Sequence, residues 1–171
     1  MAPITLYDVS ISTFARGLAT LKHILEKAAE HAKTQGLDAD AYATASLIDG
    51  MDGLNSQVQY SINTVKKCIW RLTGNEVESW TDETTTLPQL IAVTQRALDL
   101  VQAVSEASVA GKDDTTVELQ MGKTTRTPSA KAYVVTYALP NFYFHLQTAY
   151  AILRAKGVPL GKTDYLASFL A

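Results

Sequence analysis

Tyr137, Asn141 and His145 follow one another at steps of four. On a helix such steps bring side chains to one side, so a phenol, an amide and an imidazole would share one space. An imidazole titrates near neutral pH and can carry a proton in either direction. The chemistry this predicts is metal-independent acid–base catalysis on a small molecule, as in isomerisation, cyclisation, elimination or hydrolysis. His145 would transfer the proton, Asn141 would orient substrate or ring, and Tyr137 would be a secondary donor. Gln57, Asn63 and Tyr60 from an earlier helix, with Phe142, are the expected substrate-binding residues. A non-catalytic pocket or dimerisation module is the alternative, since a mostly apolar pocket with few polar groups serves either class.

Other chemistries find less in the sequence. A transition metal needs three or four ligands from His, Cys or carboxylate. The three histidines, His23, His31 and His145, include no pair four residues apart. A site joining His31 and His145 through a carboxylate is conceivable, but no metal and no other cofactor is expected. Cys68 follows Lys66 and Lys67, which would lower a thiol pKa, yet it has no histidine neighbour in sequence and reads as a small core filler. The stretches "GKTTR" and "GVPLGK" lack the strand, glycine spacing and helix start of a phosphate loop.

The elements that must position these residues are amphipathic helices. Tyr7, Ile11, Phe14, Leu18, Leu21, Leu25, Ala28 and Ala32 recur at alternating steps of four and three, predicting a helix near 5–35 that Gly36 ends. Asp38 can cap a short turn to about 45. Leu54, Val58, Ile62, Val65, Ile69 and Leu72 predict a second helix near 52–73, closed by Gly74. A polar connection over 75–85 carries Trp80. Thr86, as a cap before Leu87-Pro88, opens a third helix near 86–108. Alternation of Val117, Leu119 and Met121 around Gly122-Lys123 predicts a β-hairpin near 115–127. Thr127-Pro128 should then open a fourth helix near 128–156, which Pro140 should kink because it lacks an N–H and crowds Thr136. His23 falls opposite the first stripe and should be exposed; His31 lies at its edge.

The chain of 171 residues suits one domain, 1–171, with a sizeable core. A net charge of −2 without blocks of like charge gives no footprint for nucleic acid. No apolar run approaches the ~20 residues of a membrane span, and the N-terminus shows no secretory signal. A cytoplasmic protein without nucleic-acid or membrane partners is expected, with a small-molecule ligand and a homodimeric state, the commonest closed assembly.

The order of elements and the block "ALPNFYFHLQTAYAILRAKGVPLGKTDYL" at 138–166 resemble a domain-of-unknown-function branch of the DinB/YfiT-like four-helix-bundle superfamily. The shorter stretches "FARGLATLKHILEKAAEHA", "QVQ" and "LTG" extend the likeness nearly end to end. The resemblance implies an all-α, DinB-like four-helix bundle with a small β-hairpin inserted before the last helix. Many proteins of the wider superfamily hold a divalent metal with one histidine on the second helix and two at a spacing of four on the last. Here Asn141 and Ala149 flank His145 at that spacing, and the second helix has no histidine. A metal-dependent DinB-like transferase or hydrolase is therefore the further alternative. A role in a biosynthetic pathway would fit either enzyme.

Overall fold

The computed structural model describes residues 3–80 and 84–171. Residues 81–83 of the polar connection lie outside them.

The first stripe forms a π turn, Asp8–Ser12, running directly into α1, Thr13–Gln35. Phe14, Leu18, Leu21, Leu25, Ala28 and Ala32 are all buried, as their spacing requires. Gly36 ends α1 with φ 66°, a left-handed conformation that only glycine adopts without strain, and the Leu37 amide then closes back on the Ala32 carbonyl. The short α2, Asp40–Ala43, follows, with the Asp38 carboxylate accepting from the Asp40 amide. The second stripe is α3, Leu54–Thr73, and every apolar position named for it is buried.

Thr86 caps α4, Leu87–Gln102, in a reciprocal capping box with Gln89, and Pro88 sits in the first turn where its missing N–H costs nothing. This helix stops six residues short of the expected 108. The chain turns extended at Ser105 and then makes a separate 3-10 turn, Glu106–Ser108. The hairpin pairs β1, Leu119–Met121, with β2, Thr124–Arg126, around Gly122-Lys123. The fourth helix opens with Ser129, not Thr127-Pro128. The Ser129 hydroxyl accepts from the Ala132 amide, while the Pro128 carbonyl is taken by the Val117 amide. From there α5, Ala130–Tyr133, passes through a second π turn, Val134–Ala138, into α6, Leu139–Ala155. The last helix, α7, Lys162–Leu170, was not foreseen from the sequence; it is only nine residues long and none of its apolar residues is fully buried.

The four long helices form a bundle in which α1 packs on α4 and α6, and α3 packs on the same two helices. The first and second long helices are thus diagonal, and the connection over 36–53 crosses the end of the bundle. The α7 helix lies outside, against α1. Phe142 joins the two halves of the core: its ring meets Phe14 edge-on at 5.1 Å, and a Cβ at Gly17 would overlap it. Among the described residues, no helix is long and apolar enough to cross a membrane.

Candidate functional site

The α3–α6 seam holds a polar cleft of about 260 Å³. On α3, Tyr60, Asn63, Thr64, Lys67 and Arg71 face it at steps of three and four. Opposite stand Tyr133, Tyr137, Asn141 and His145, and the hairpin residues Leu119 and Gln120 close one end. The two rows run antiparallel, because His145 meets Gln57, Asn141 meets Thr64, and Tyr133 meets Arg71.

The second row depends on the π turn. At ~100° per residue, side chains at strict steps of four drift by about 120° between 133 and 145 on an uninterrupted α-helix. The wider turn over 134–138 takes up part of that drift, so Tyr133 and Tyr137 stay in line with Asn141 and His145. It also lies directly before Pro140, where the sequence predicts a kink. In the π turn the Leu139 amide bonds to the Val134 carbonyl, so the ladder is already reorganised immediately before Pro140, whose nitrogen has no proton to give.

Three hydrogen bonds fix the imidazole. His145 Nδ1 lies 2.8 Å from Gln57 Oε1, and Gln57 Nε2 donates to the Asp52 carbonyl at 3.1 Å. A carbonyl only accepts, so the amide's nitrogen must face Asp52 and its oxygen must face the ring. His145 therefore carries its proton on Nδ1 and presents Nε2 as a bare lone pair. The Tyr60 ring lies 5.0 Å from the imidazole, and its hydroxyl donates to Asp52 Oδ2 at 3.0 Å, which raises the phenol's pKa. Burial lowers the pKa of His145, and the Asp52 charge opposes that only in part. The ring is neutral at pH 7, the form a general base requires.

Further along, Asn141 Nδ2 donates to Thr64 Oγ1 at 2.7 Å, and that hydroxyl donates to the Tyr60 carbonyl. Asn141 Oδ1 accepts no hydrogen bond among the described residues, and the side chains of Asn63, Lys67 and Tyr137 make none. The cleft thus presents an acceptor, a phenol, an amide and an ammonium group beside the imidazole lone pair.

Of the residues the sequence singled out, Tyr60, Asn63, Tyr137, Asn141 and His145 line this cleft. Gln57 is buried behind His145 and positions it. Phe142 is a correction: it points from the opposite side of α6 into the core and reaches no cleft, because consecutive helix residues diverge by ~100°. Thr148, which shares its sequence side with His145, is buried and bonded to the Phe144 carbonyl. His31 is not near His145; its Nδ1 meets the Tyr42 hydroxyl at 3.0 Å. His23 is half-exposed as expected, and it bonds to Asp164. Cys68 is fully buried, which pushes its thiol up to about 12 and removes it as a nucleophile. Sequence reasoning missed Lys67 and Arg71. They lie seven and eleven residues beyond Tyr60 on the same helical face, a spacing that was readable, although the contact of Arg71 with Tyr133 was not.

The metal site of the wider superfamily does not fit these donors. The nitrogen of His145 that faces α3 carries a proton for Gln57, and the amide at 141 turns its nitrogen to Thr64. No group of three His, Cys, Asp or Glu among the described residues could hold a metal ion. A larger groove of about 610 Å³ beside Trp80 contains no histidine, and it adjoins the segment outside the described residues.

A helical bundle with a hairpin before its fourth long helix and a polar cleft between the second and fourth is a DinB-like architecture. The chain is similar to a solved DinB family member protein from Shewanella denitrificans, with 32% identity and a TM-score of 0.82 over 94% of this chain and 91% of that one. It belongs to the DUF1993 family, a domain of unknown function, whose model matches residues 6–166. No curated protein matches its sequence.

Proposed function

We propose that the α3–α6 cleft is the active site of a metal-independent enzyme that moves a proton on a small molecule, with His145 as the base. The observation that carries this reading is the Asp52–Gln57–His145 chain of hydrogen bonds. It holds a neutral imidazole in one tautomer with Nε2 free, and the ring lines the cleft. A substrate C–H or O–H would give its proton to Nε2, and the imidazolium would return it to another atom of the same molecule or to a leaving group. Asn141 Oδ1 and the Tyr137 hydroxyl, which spend no hydrogen bond among the described residues, would orient the substrate. Gln57 acts through His145 and is a positioning residue. Isomerisation, elimination and hydrolysis all fit this proton path. The chain is also proposed to work as a homodimer, which sedimentation velocity at micromolar concentration tests; a monomer throughout would reject that part.

The test is substrate discovery with a matched variant. Wild-type protein and His145→Gln are incubated with a small-molecule extract of cells, and mass spectrometry follows what each consumes. At least one compound should be converted by wild type and about 10²–10⁴-fold more slowly by the variant, with melting temperatures within a degree or two of each other. A variant that retains turnover but melts several degrees earlier would make His145 a structural residue.

A further inference from the structure

The cleft's charge is one-sided. Lys67 and Arg71 line it, and among the described residues no carboxylate does. Asp52 accepts from Tyr60 beside the imidazole, and Glu76 lines a separate groove that shares Asn63 and Lys67 with the cleft. Lys67 makes no ion pair or hydrogen bond among the described residues. Arg71 uses Nε on the Glu118 carbonyl at 2.8 Å and shares Nη1 with the Tyr133 hydroxyl at 3.3 Å, leaving Nη2 uncommitted. Its plane lies over the Tyr133 ring, 5.1 Å from the centroid, so the guanidinium is held in place before any ligand arrives. Two cations, one of them preset, in a concave wall that holds no opposing acid among the described residues constitute an anion site.

Resting on the reading of His145 as the base, we infer that the substrate carries an oxyanion, a carboxylate or phosphoryl group, held by Lys67 and Arg71. The reacting atom would then lie at His145. The helix sets the span between the two. Tyr60, whose ring packs tilted against the imidazole, precedes Lys67 by seven residues, so the ammonium group lies about 10 Å further along α3. Tyr137 flanks the cationic end, and the buried Tyr133 backs it with ring centroids 6.0 Å apart. The substrate class is thus a small organic anion, long enough to separate its charged group from its reacting atom by roughly two helical turns.

Benzoate and its neutral isostere benzamide are the probes, titrated into the full chain and followed by backbone amide NMR. Benzoate should shift the amides around Lys67, Arg71 and Tyr137, and it should bind about tenfold more tightly than benzamide. Lys67→Gln should erase that preference while leaving benzamide binding unchanged. Equal binding of the two probes, no binding of either, or a benzoate preference that survives Lys67→Gln would each overturn the inference. The base reading is decided separately. His145→Gln should bind benzoate as wild type does, so loss of turnover in that variant supports the base whether or not the anion site holds.

Discussion

Two seams of this bundle each contain a histidine, and they spend their charges in opposite ways. Where α7 lies on α1, the Asp164 carboxylate takes Lys27 Nζ at 2.8 Å, the Gly161 amide at 2.8 Å and His23 Nε2 at 3.2 Å. Around it Tyr143, Tyr165 and Phe169 pack ring on ring. The charged groups Asp164 and Lys27 and the His23 ring are paired with one another there. Between α3 and α6 the imidazole is held by a neutral amide, the ammonium of Lys67 has no counter-ion among the described residues, and a cleft remains open. A histidine beside a carboxylate at a filled contact acts as a clamp. A histidine beside an amide, next to unspent polar groups, is available for chemistry.

The largest effect expected from breaking this contrast lies in the wall that both seams share. Phe142→Ala would empty the space between α1 and α6 where the ring meets Phe14 and Gly17. It should cost about 3–5 kcal/mol in chemical denaturation, while benzoate affinity in the remaining folded protein stays near wild type because Phe142 lines no part of the cleft.

A subtler change turns one seam into the other. Gln57→Glu would place a carboxylate against His145 Nδ1, as Asp164 stands against His23. The imidazole pKa should rise from its lowered position to above the ordinary 6.5, because the new charge favours the protonated ring. Turnover at pH 6 should then drop about tenfold, with little loss at pH 8; an NMR titration of His145 reads the pKa directly. The sign of the stability effect reverses as well. In wild type the unfolded chain binds a proton more readily than His145 does, so stability rises with pH between the lowered folded pKa and about 6.5. In Gln57→Glu the His145 contribution should instead be present at low pH and fade as pH rises through the new pKa.

The smallest effect belongs to the clamp. Asp164→Asn should cost about 1 kcal/mol, the scale of a partly exposed ion pair with its cap contact. It should leave His145 turnover and benzoate binding untouched. The hydrogen bond from Lys27 leads the causes that hold the Asp164 carboxyl well below the usual carboxylate range, with contributions from the Gly161 amide and His23. A depressed carboxylate pKa gives stability that is complete above the unfolded value near 3.9 and is lost as pH falls through the folded one. The α7 helix should therefore stay docked through mild acid; amide exchange across 162–170 that accelerates already at pH 5 would contradict this.

The long helices could be read from sequence because each stripe repeats over many turns and each buries one face. The Thr86-Pro88 start and the Gly36 and Gly74 stops are local chemistry, so they too could be placed. The α7 helix escaped notice because its nine residues are too few for an apolar spacing to repeat over several turns. The π turn at 134–138 has no residue signature apart from the proline behind it, and that proline suggested a kink. In the site, Tyr137, Asn141 and His145 were found through spacing on a single helix. Gln57 was named as a partner, but its place behind the imidazole depends on how α3 and α6 align. Lys67 and Arg71 needed the same alignment, which only the folded bundle supplies.

The π turn over 134–138 also bears on how this chain tolerates changes in length. It acts as a one-residue slack between two blocks, the hairpin with Tyr133 on one side and α6 with His145 on the other. Removing one residue there would let the helix close with ordinary turns, since eleven steps of ~100° bring the two blocks to within about 20° of alignment, close to where the π turn holds them. Arg71, tied to both Glu118 and Tyr133, would then keep its place beside the α6 row. An alignment that shows a one-residue gap in this segment would therefore mark a chain whose bundle and cleft are both preserved.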